Sequence, residues 1–289
     1  MIKDQSRLED ILLGIRQFVS EFAIPAEQEI VEKNFINESL VDEMRRRGFF
    51  GWSIPVEYGG FGLTTEELAL ANMEISQAAT AFRARAGTNT GIGAEGLIQD
   101  GTKEQKEYWL PKLASGEVTG CLALTEPEAG SDAISLQTSA VKVVGRPEWR
   151  INGTKRYITN APIADLFTVF ARTNPDDLSH HGITAFLVPK GTQGLSTGLE
   201  HRKMGQSGSP VSEVYLKDVI VSEGQILGGE LGQGFITAMK TLNKQRINLA
   251  ALCVGPAIRM LNEALAHVKK REQFGKQIAD FQLVQAMLA

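Results

Sequence analysis

The amino-acid sequence predicts an α+β multidomain protein: an N-terminal α-helical domain over residues 1–117, a central antiparallel β-barrel domain over 118–230, and the start of a C-terminal α-helical bundle over 231–289. Three observations lead there. Apolar residues recur three and four apart as far as Pro111; the period drops to two at Val118; and helical spacing returns at Phe235. Between the two helical regions, strand candidates follow one another with tight turns and no intervening helix, the pattern of an antiparallel barrel or sandwich.

Composition bounds the possibilities. With 289 residues, 43% hydrophobic and 22% charged, the chain can bury more than one core. A net charge of -4, with Lys and Arg spread along the chain, argues against a nucleic-acid partner. Cys121 and Cys253 stand far apart in apolar surroundings, which predicts two buried thiols of a reducing compartment. Acidic residues near the start argue against a signal or transit peptide, and no uninterrupted apolar run of about 18 residues argues against a membrane span. Cytoplasmic localisation is the resulting expectation.

In the first domain Leu8, Ile11, Leu12, Ile15, Phe18, Val19 and Phe22 mark one helix face, ended or kinked at Pro25. A second helix is expected over Leu40–Arg47, capped at Gly48. Thr64 and Glu67 form a capping box opening a helix to about Ala81; Thr102 and Gln105 form another, opening a helix that should end near Pro111. Gly91-Ile92-Gly93-Ala94-Glu95-Gly96 satisfies G-x-G-x-x-G, but no strand precedes it, so small residues packing between helices explain it better than a dinucleotide site.

Strand candidates then cover Ser135–Val144, Trp149–Ile158, Phe167–Ala171, Ile183–Val188 and Val211–Val221, and Asn152-Gly153 reads as a hairpin turn. His180-His181 lacks partners at metal-ligand spacing and reads as exposed loop; no metal site is expected. From Phe235 to Val268 a long apolar stripe predicts one helix, kinked at Gly255-Pro256 and long enough to pack in a bundle or across a subunit interface. After Phe274-Gly275 another helix begins near Ile278, and its apolar residues predict a core completed by something else.

The stretch richest in chemistry is Leu122–Asp132, LALTEPEAGSD, where an apolar alternation stops and delivers a small-residue loop. Gly130 lets backbone amides approach a ligand, and Thr125 and Ser131 offer hydroxyls. Such a loop can hold a phosphate, a flavin edge or a carbonyl; its Pro, Gly, Ser and Asp are equally ordinary turn residues.

Ala123, Leu124, Thr125, Glu126, Ala129, Gly130, Ser131 and Asp132 together resemble the signature of the acyl-CoA dehydrogenase family. Supporting segments follow in the family's order: Gly153-Thr154-Lys155-Arg156-Tyr157-Ile158-Thr159-Asn160, then Lys203-Met204-Gly205, then Arg271-Glu272-Gln273-Phe274-Gly275. The resemblance spans the whole chain. It implies FAD, with Leu122, Leu124, Thr125, Gly130 and Ser131 along the flavin and its pyrophosphate, and Tyr157, Ile158 and Thr159 at the ring. Tyr157 stands where the family more often has Trp. Arg271, Gln273, Phe274 and Gln282 would reach the FAD of a neighbouring subunit, which implies a homo-oligomer, a dimer or tetramer. Ser131, Asn243 and Arg246 would meet the acyl-CoA.

The implied activity belongs to fatty acid metabolism: α,β-dehydrogenation of an acyl-CoA thioester, in which a carboxylate takes the α-proton, the β-hydrogen leaves as hydride to flavin N5, and the electrons pass to an electron-transferring flavoprotein. In some relatives the base is a Glu on the long helix immediately before the arginine. Here that position is Gln245, so the catalytic base is not assigned. Two alternatives remain at this stage: an acyl-CoA oxidase or flavin monooxygenase relative using O₂, and a shortened, non-catalytic paralogue that binds FAD or acyl-CoA.

Overall fold

The computed structural model describes residues 1–289. Its N-terminal domain is helical: α1 (Gln5–Phe18), α2 (Glu27–Lys33), α3 (Glu38–Arg46), α4 (Thr65–Ile75), α5 (Thr80–Gly87), α6 (Glu95–Asp100) and α7 (Lys103–Ser115). Leu8, Leu12, Ile15 and Phe18 fall on one face of α1 and are buried, as their spacing predicts. They meet Phe49, Trp52, Leu68, Ile75 and Phe82 in the first core, where the Phe18 ring lies edge-on to Phe49 and Phe82 at 5.2 and 5.5 Å.

Both capping boxes form. Thr64 Oγ1 accepts from the Glu67 amide, and Thr102 Oγ1 accepts from the Gln105 amide. Neither helix ends where periodicity placed its end. The helix expected to reach Ala81 stops at Ile75, because the Ser76 hydroxyl bonds back to Asn72 O and the chain turns before α5. In the other, α7 runs through Pro111 to Ser115, with Gly116 taking the left-handed cap at φ 75°. Between α5 and α6 a π turn over Thr88–Ile92 leads into the G-x-G-x-x-G segment, which ends in α6, with no strand before it. A Cβ at Gly93 would come within 2.7 Å of Thr88 O and 2.8 Å of Gly120 C, so that glycine is explained by close packing.

The central domain is one curled seven-stranded sheet, β1 (Gly120–Ala123), β2 (Ser139–Lys142), β3 (Glu148–Thr159), β4 (Leu166–Arg172), β5 (Ile183–Pro189), β6 (Leu195–Thr197) and β7 (Val211–Ser222). Its order is β1-β4-β2-β3-β7-β6, with β5 also on β4. Most pairs are antiparallel, as expected; β1 and β2 both run parallel to β4, with Gly120 opposite Leu166 and Ser139 opposite Arg172. Both β4 and β5 are buried in every residue but the last, and apolar apart from Thr168, Arg172 and Thr184, because both faces are covered. Phe167, Val169, Phe186 and Val188 enter the sheet's inner core; Leu166, Phe170, Ile183 and Leu187 enter a second core shared with Leu97, Leu110 and Leu113.

Asn152-Gly153 is not a hairpin turn. β3 continues through it with a register shift between Ile151 and Gly153, and the β2–β3 reversal lies at Val143–Pro147, around Gly145 with φ 75°. A Cβ at Gly153 would sit 2.3 Å from Thr138 Oγ1, so the glycine serves a close strand approach.

The long helix α8 (Gly234–Val268) is continuous through Pro256. Gly255 brings it against α4, where a Cβ would lie 2.4 Å from Met73 O. One window of α8, with mean hydropathy 1.3, meets the length and composition of a membrane-crossing helix; Lys240, Lys244, Arg246, Arg259 and Glu263 lie along the same helix. Its outer face leaves Val254, Met260 and Leu261 exposed, and with them Cys253. The expectation of two buried thiols therefore holds for Cys121 only: apolar neighbours along a helix do not reveal which stripe lacks a partner. A short hairpin, β8 (Glu272–Gln273) and β9 (Lys276–Gln277), and α9 (Gln282–Leu288) follow.

Candidate active site and cofactor cradle

The loop after β1 is built around a buried ion pair. Lys155 Nζ, on β3, lies 2.7 Å from Glu126 Oε1 and donates to Leu124 O at 3.1 Å. The other Glu126 oxygen accepts from the Gln137 amide at 2.6 Å, and Oε1 also takes the Thr138 amide at 3.0 Å. The two side chains are 0% and 5% exposed. Burial pushes the Lys155 ammonium down to about 8, partly countered by Glu126. For Glu126 burial works upward, but the Lys155 charge and the donors around it outweigh burial and hold the carboxyl below its ordinary value. One acid thus ties together the loop, β3 and the segment leading into β2.

Around that anchor the loop leaves donors free. The Thr125, Glu128, Gly130, Ser131 and Asp132 amides find no backbone acceptor, while Glu126 and Ala129 bond to each other. A Cβ at Gly130 would meet nothing within 4 Å, so the loop's small residues face open space. Thr125 O accepts from the Arg156 amide at 2.8 Å, which sets the loop beside the end of β3. There a register shift between Lys155 and Ile158 turns Tyr157 outward at φ 59°, with its side chain 59% exposed and its ring 5.4 Å from that of His201. Ile158 points the other way, into the sheet's core. Any contact it makes with a ligand on the cradle side is through its backbone.

Thr159 leads from this cradle into a cleft of about 340 Å³ between α5, the π turn and α8. Asn160, at φ 61° and fully buried, fixes the junction by donating to Ala84 O and Thr88 Oγ1, both at 3.0 Å. Ile92, Leu242, Leu249 and Leu252 make apolar walls, and Arg83, Gln245 and Arg246 bring polar groups. Gln245 is 8% exposed; its Oε1 accepts from Asn248, and its Nε2 has no partner. Arg246 bonds Asn243, which stands outside the cleft lining. The cleft contains two arginines and no Asp or Glu.

The remaining expected cofactor residues lie elsewhere. Arg271, Gln273, Phe274 and Gln282 are all exposed, on the β8–β9 hairpin and the first turn of α9, and none lines the cleft. Phe274 and Gly275 take φ 56° and 78°, the paired positive values of a tight hairpin turn. Sequence reasoning passed over Lys155 as an anchor, Asn160 and Thr88 as a junction, and Arg83. For Arg83 a signal existed: arginines set among Ala81, Ala84, Ala86 and Gly87 belong to a helix whose small residues mark close packing.

A cradle of free amides on a sheet edge, opening into an apolar cleft under a long helix, defines a protein that holds an anionic cofactor beside an acyl-sized ligand. Family models describe it further: the acyl-CoA dehydrogenase N-terminal domain matches residues 6–117, the middle domain 121–219, and the C-terminal domain 232–289. An acyl-CoA dehydrogenase of Bacillus subtilis is 38% identical over 275 residues, 95% of this chain and 72% of that protein. Butyryl-CoA dehydrogenase from Megasphaera elsdenii is similar with a TM-score of 0.94 and 34% identity, covering 100% of this chain and 75% of that one. The structure of an acyl-CoA dehydrogenase complexed with FAD from Bacillus anthracis gives a TM-score of 0.89 at 33% identity, over 99% of this chain and 48% of that one. The chain belongs to the acyl-CoA dehydrogenase family, whose members are oxidoreductases acting on acyl-CoA.

Proposed function

We propose that this chain carries the FAD cradle and acyl-CoA cleft of an enzyme that dehydrogenates an acyl thioester between Cα and Cβ. The observation that carries the reading is the group of five unpaired amides among Thr125–Asp132, beside Tyr157 and Thr159 at the mouth of the cleft. Unpaired N–H groups suit the pyrophosphate, the outward Tyr157 ring suits a flavin face, and the free Thr159 hydroxyl suits a polar ring edge. FAD, when bound, supplies the acceptor for the hydride that leaves Cβ. The chain's own residues then bind the thioester between α5 and α8 and exclude water with Ile92, Leu242 and Leu249.

Proton removal at Cα needs a carboxylate, and Gln245 cannot serve: an amide has no useful basicity. The cleft lining has no other acid, so the base comes from outside it. Electrons pass on to an electron-transferring flavoprotein, and the exposed α8 face and hairpin supply the surface for a homo-oligomer, a dimer or tetramer. Gln245 also favours a second reading, a chain that binds FAD and acyl-CoA without turnover.

Anaerobic titration of the FAD-loaded protein with acyl-CoAs of graded length tests this. Bleaching of the flavin's visible absorbance by at least one of them is the expected result. Full FAD occupancy without bleaching by any of them removes dehydrogenation and leaves the binding reading. Peroxide formation under air, in preference to reduction of a dye or of the flavoprotein, would assign the electrons to O₂.

A further inference from the structure

Neither arginine of the cleft has a counter-ion, and of the two only Arg83 is withdrawn from solvent. Arg83 lines the cleft from α5, half-buried, and its only protein acceptor is Asn72 Oδ1, 3.1 Å from Nε. Asn72 is itself 2% exposed and held by Leu68 O at 2.7 Å, so it orients the guanidinium edge from beneath. Neither terminal nitrogen of Arg83 bonds a protein group, and no carboxylate lies within ion-pair distance. Burial accordingly pulls the Arg83 pKa below its usual value, with nothing opposing it. Arg16, Arg45 and, on α8, Arg259 meet carboxylates: Glu74 and Glu9, Glu38 and Asp42, and Glu27 and Glu263. Arg85, the other buried arginine of α5, has no carboxylate partner either, but it lies outside the cleft, over the Phe50 ring and bonded to Thr119 Oγ1.

The side chain's path fixes where that charge sits. An ideal Cβ on Gly87 would lie 3.2 Å from the guanidinium carbon, so the group lies over Gly87, and the absence of a side chain there makes room for it. Gly87 adjoins Thr88, which Asn160 bonds next to Thr159. The guanidinium and Thr159 therefore line one cleft, whose volume of about 340 Å³ suits a short acyl chain. Apolar walls from Ile92, Leu242 and Leu249 line the way.

Resting on the reading of this cleft as the acyl site, we infer that the acyl group it takes is short and ends in a carboxylate, which Arg83 binds through its two free terminal nitrogens. A guanidinium fork presents parallel N–H donors to the two carboxylate oxygens, a geometry few other anions match. Leaving that fork desolvated opposite a methyl end would cost more than it returns, so the same residue selects against plain fatty chains of equal length. Arg246, at the other side of the cleft, is exposed and already engaged by Asn243, so it does not compete.

The test measures equilibrium binding by calorimetry to the FAD-loaded protein, with glutaryl-CoA and adipyl-CoA as probes and pentanoyl-CoA and hexanoyl-CoA as uncharged matches of length. A preference of about 30-fold or more for the carboxylated member of a pair is expected, from the strength of a charged hydrogen-bonded pair. Arg83→Met should collapse that ratio toward one, and Arg83→Lys, which keeps the charge but loses the fork, should retain part of it; thermal unfolding shows that each variant is folded. An unaltered ratio in Arg83→Met, or no preference in the parent protein, overturns the assignment. The outcome separates from the dehydrogenase reading: carboxylate preference without flavin bleaching upholds Arg83 and removes turnover, whereas bleaching by plain acyl-CoAs, with the ratio indifferent to Arg83, does the reverse.

Discussion

The cradle around Leu124–Thr159 and the hairpin at Arg271–Gln277 hold most of the residues expected to touch FAD, and they are ordered in opposite ways. In the cradle Lys155 and Glu126, 0% and 5% exposed, tie together the backbone at Leu124, Gln137 and Thr138. In the hairpin two short strands pair only with each other, and Phe274 at its tip is 92% exposed. A site anchored by a buried ion pair is shaped before its ligand arrives. One that stands clear of its own domain gets its partners from another surface.

Removing the anchor should give the largest effect. Lys155→Met strands the Glu126 carboxylate among amides inside the sheet, a loss of about 3 to 5 kcal/mol in unfolding free energy by denaturant titration. Converting both partners, Glu126→Gln with Lys155→Met, leaves no unpaired charge and should restore a good part of that loss. Additive single losses in the double variant would show that the pair is not a coupled unit.

A smaller change follows from pH. Because Glu126 is held below its ordinary value of 4.5 in the folded state, its contribution is complete above that value and is lost as pH falls through the lowered one. The unfolding midpoint of the parent protein should therefore drop more steeply in acid than that of Glu126→Gln. Parallel curves would dissociate the ion pair from acid sensitivity.

This division also explains what could be read from the sequence. Strands buried on both faces announce themselves: Phe167–Ala171 and Ile183–Val188 are apolar but for one threonine each, and β4 and β5 lie there. Capping boxes at Thr64 and Thr102 are local chemistry and form as spaced. Asn152-Gly153 misled because a bulge and a hairpin share turn residues, and what separates them is whether the chain reverses there or runs on, as it does here with a register shift against β7. Helix ends at Ile75 and Ser115 depend on a serine back-bond and on a tolerated Pro111, neither of which alters apolar spacing. Arg83 was passed over and Cys253 misread for a common reason. Exposure is a property of the facing element: α4 supplies Asn72 to bury the first, and no element covers the second.

The hairpin should respond least in stability. Phe274→Ala removes a ring already in water, so the unfolding free energy of the chain should move by less than about 0.5 kcal/mol. FAD retention should respond differently. If Arg271 and Phe274 complete a cradle in another copy of the chain, Phe274→Ala and Arg271→Ala will release FAD faster on dilution, and sedimentation will show whether the oligomer weakens in parallel. The cradle offers the reference, since Lys155→Met should lower FAD affinity and stability together. A hairpin variant that loses stability while keeping FAD as tightly as the parent would place the hairpin with the chain's own packing, and the contrast between a site ordered from within and one ordered by a partner would fail.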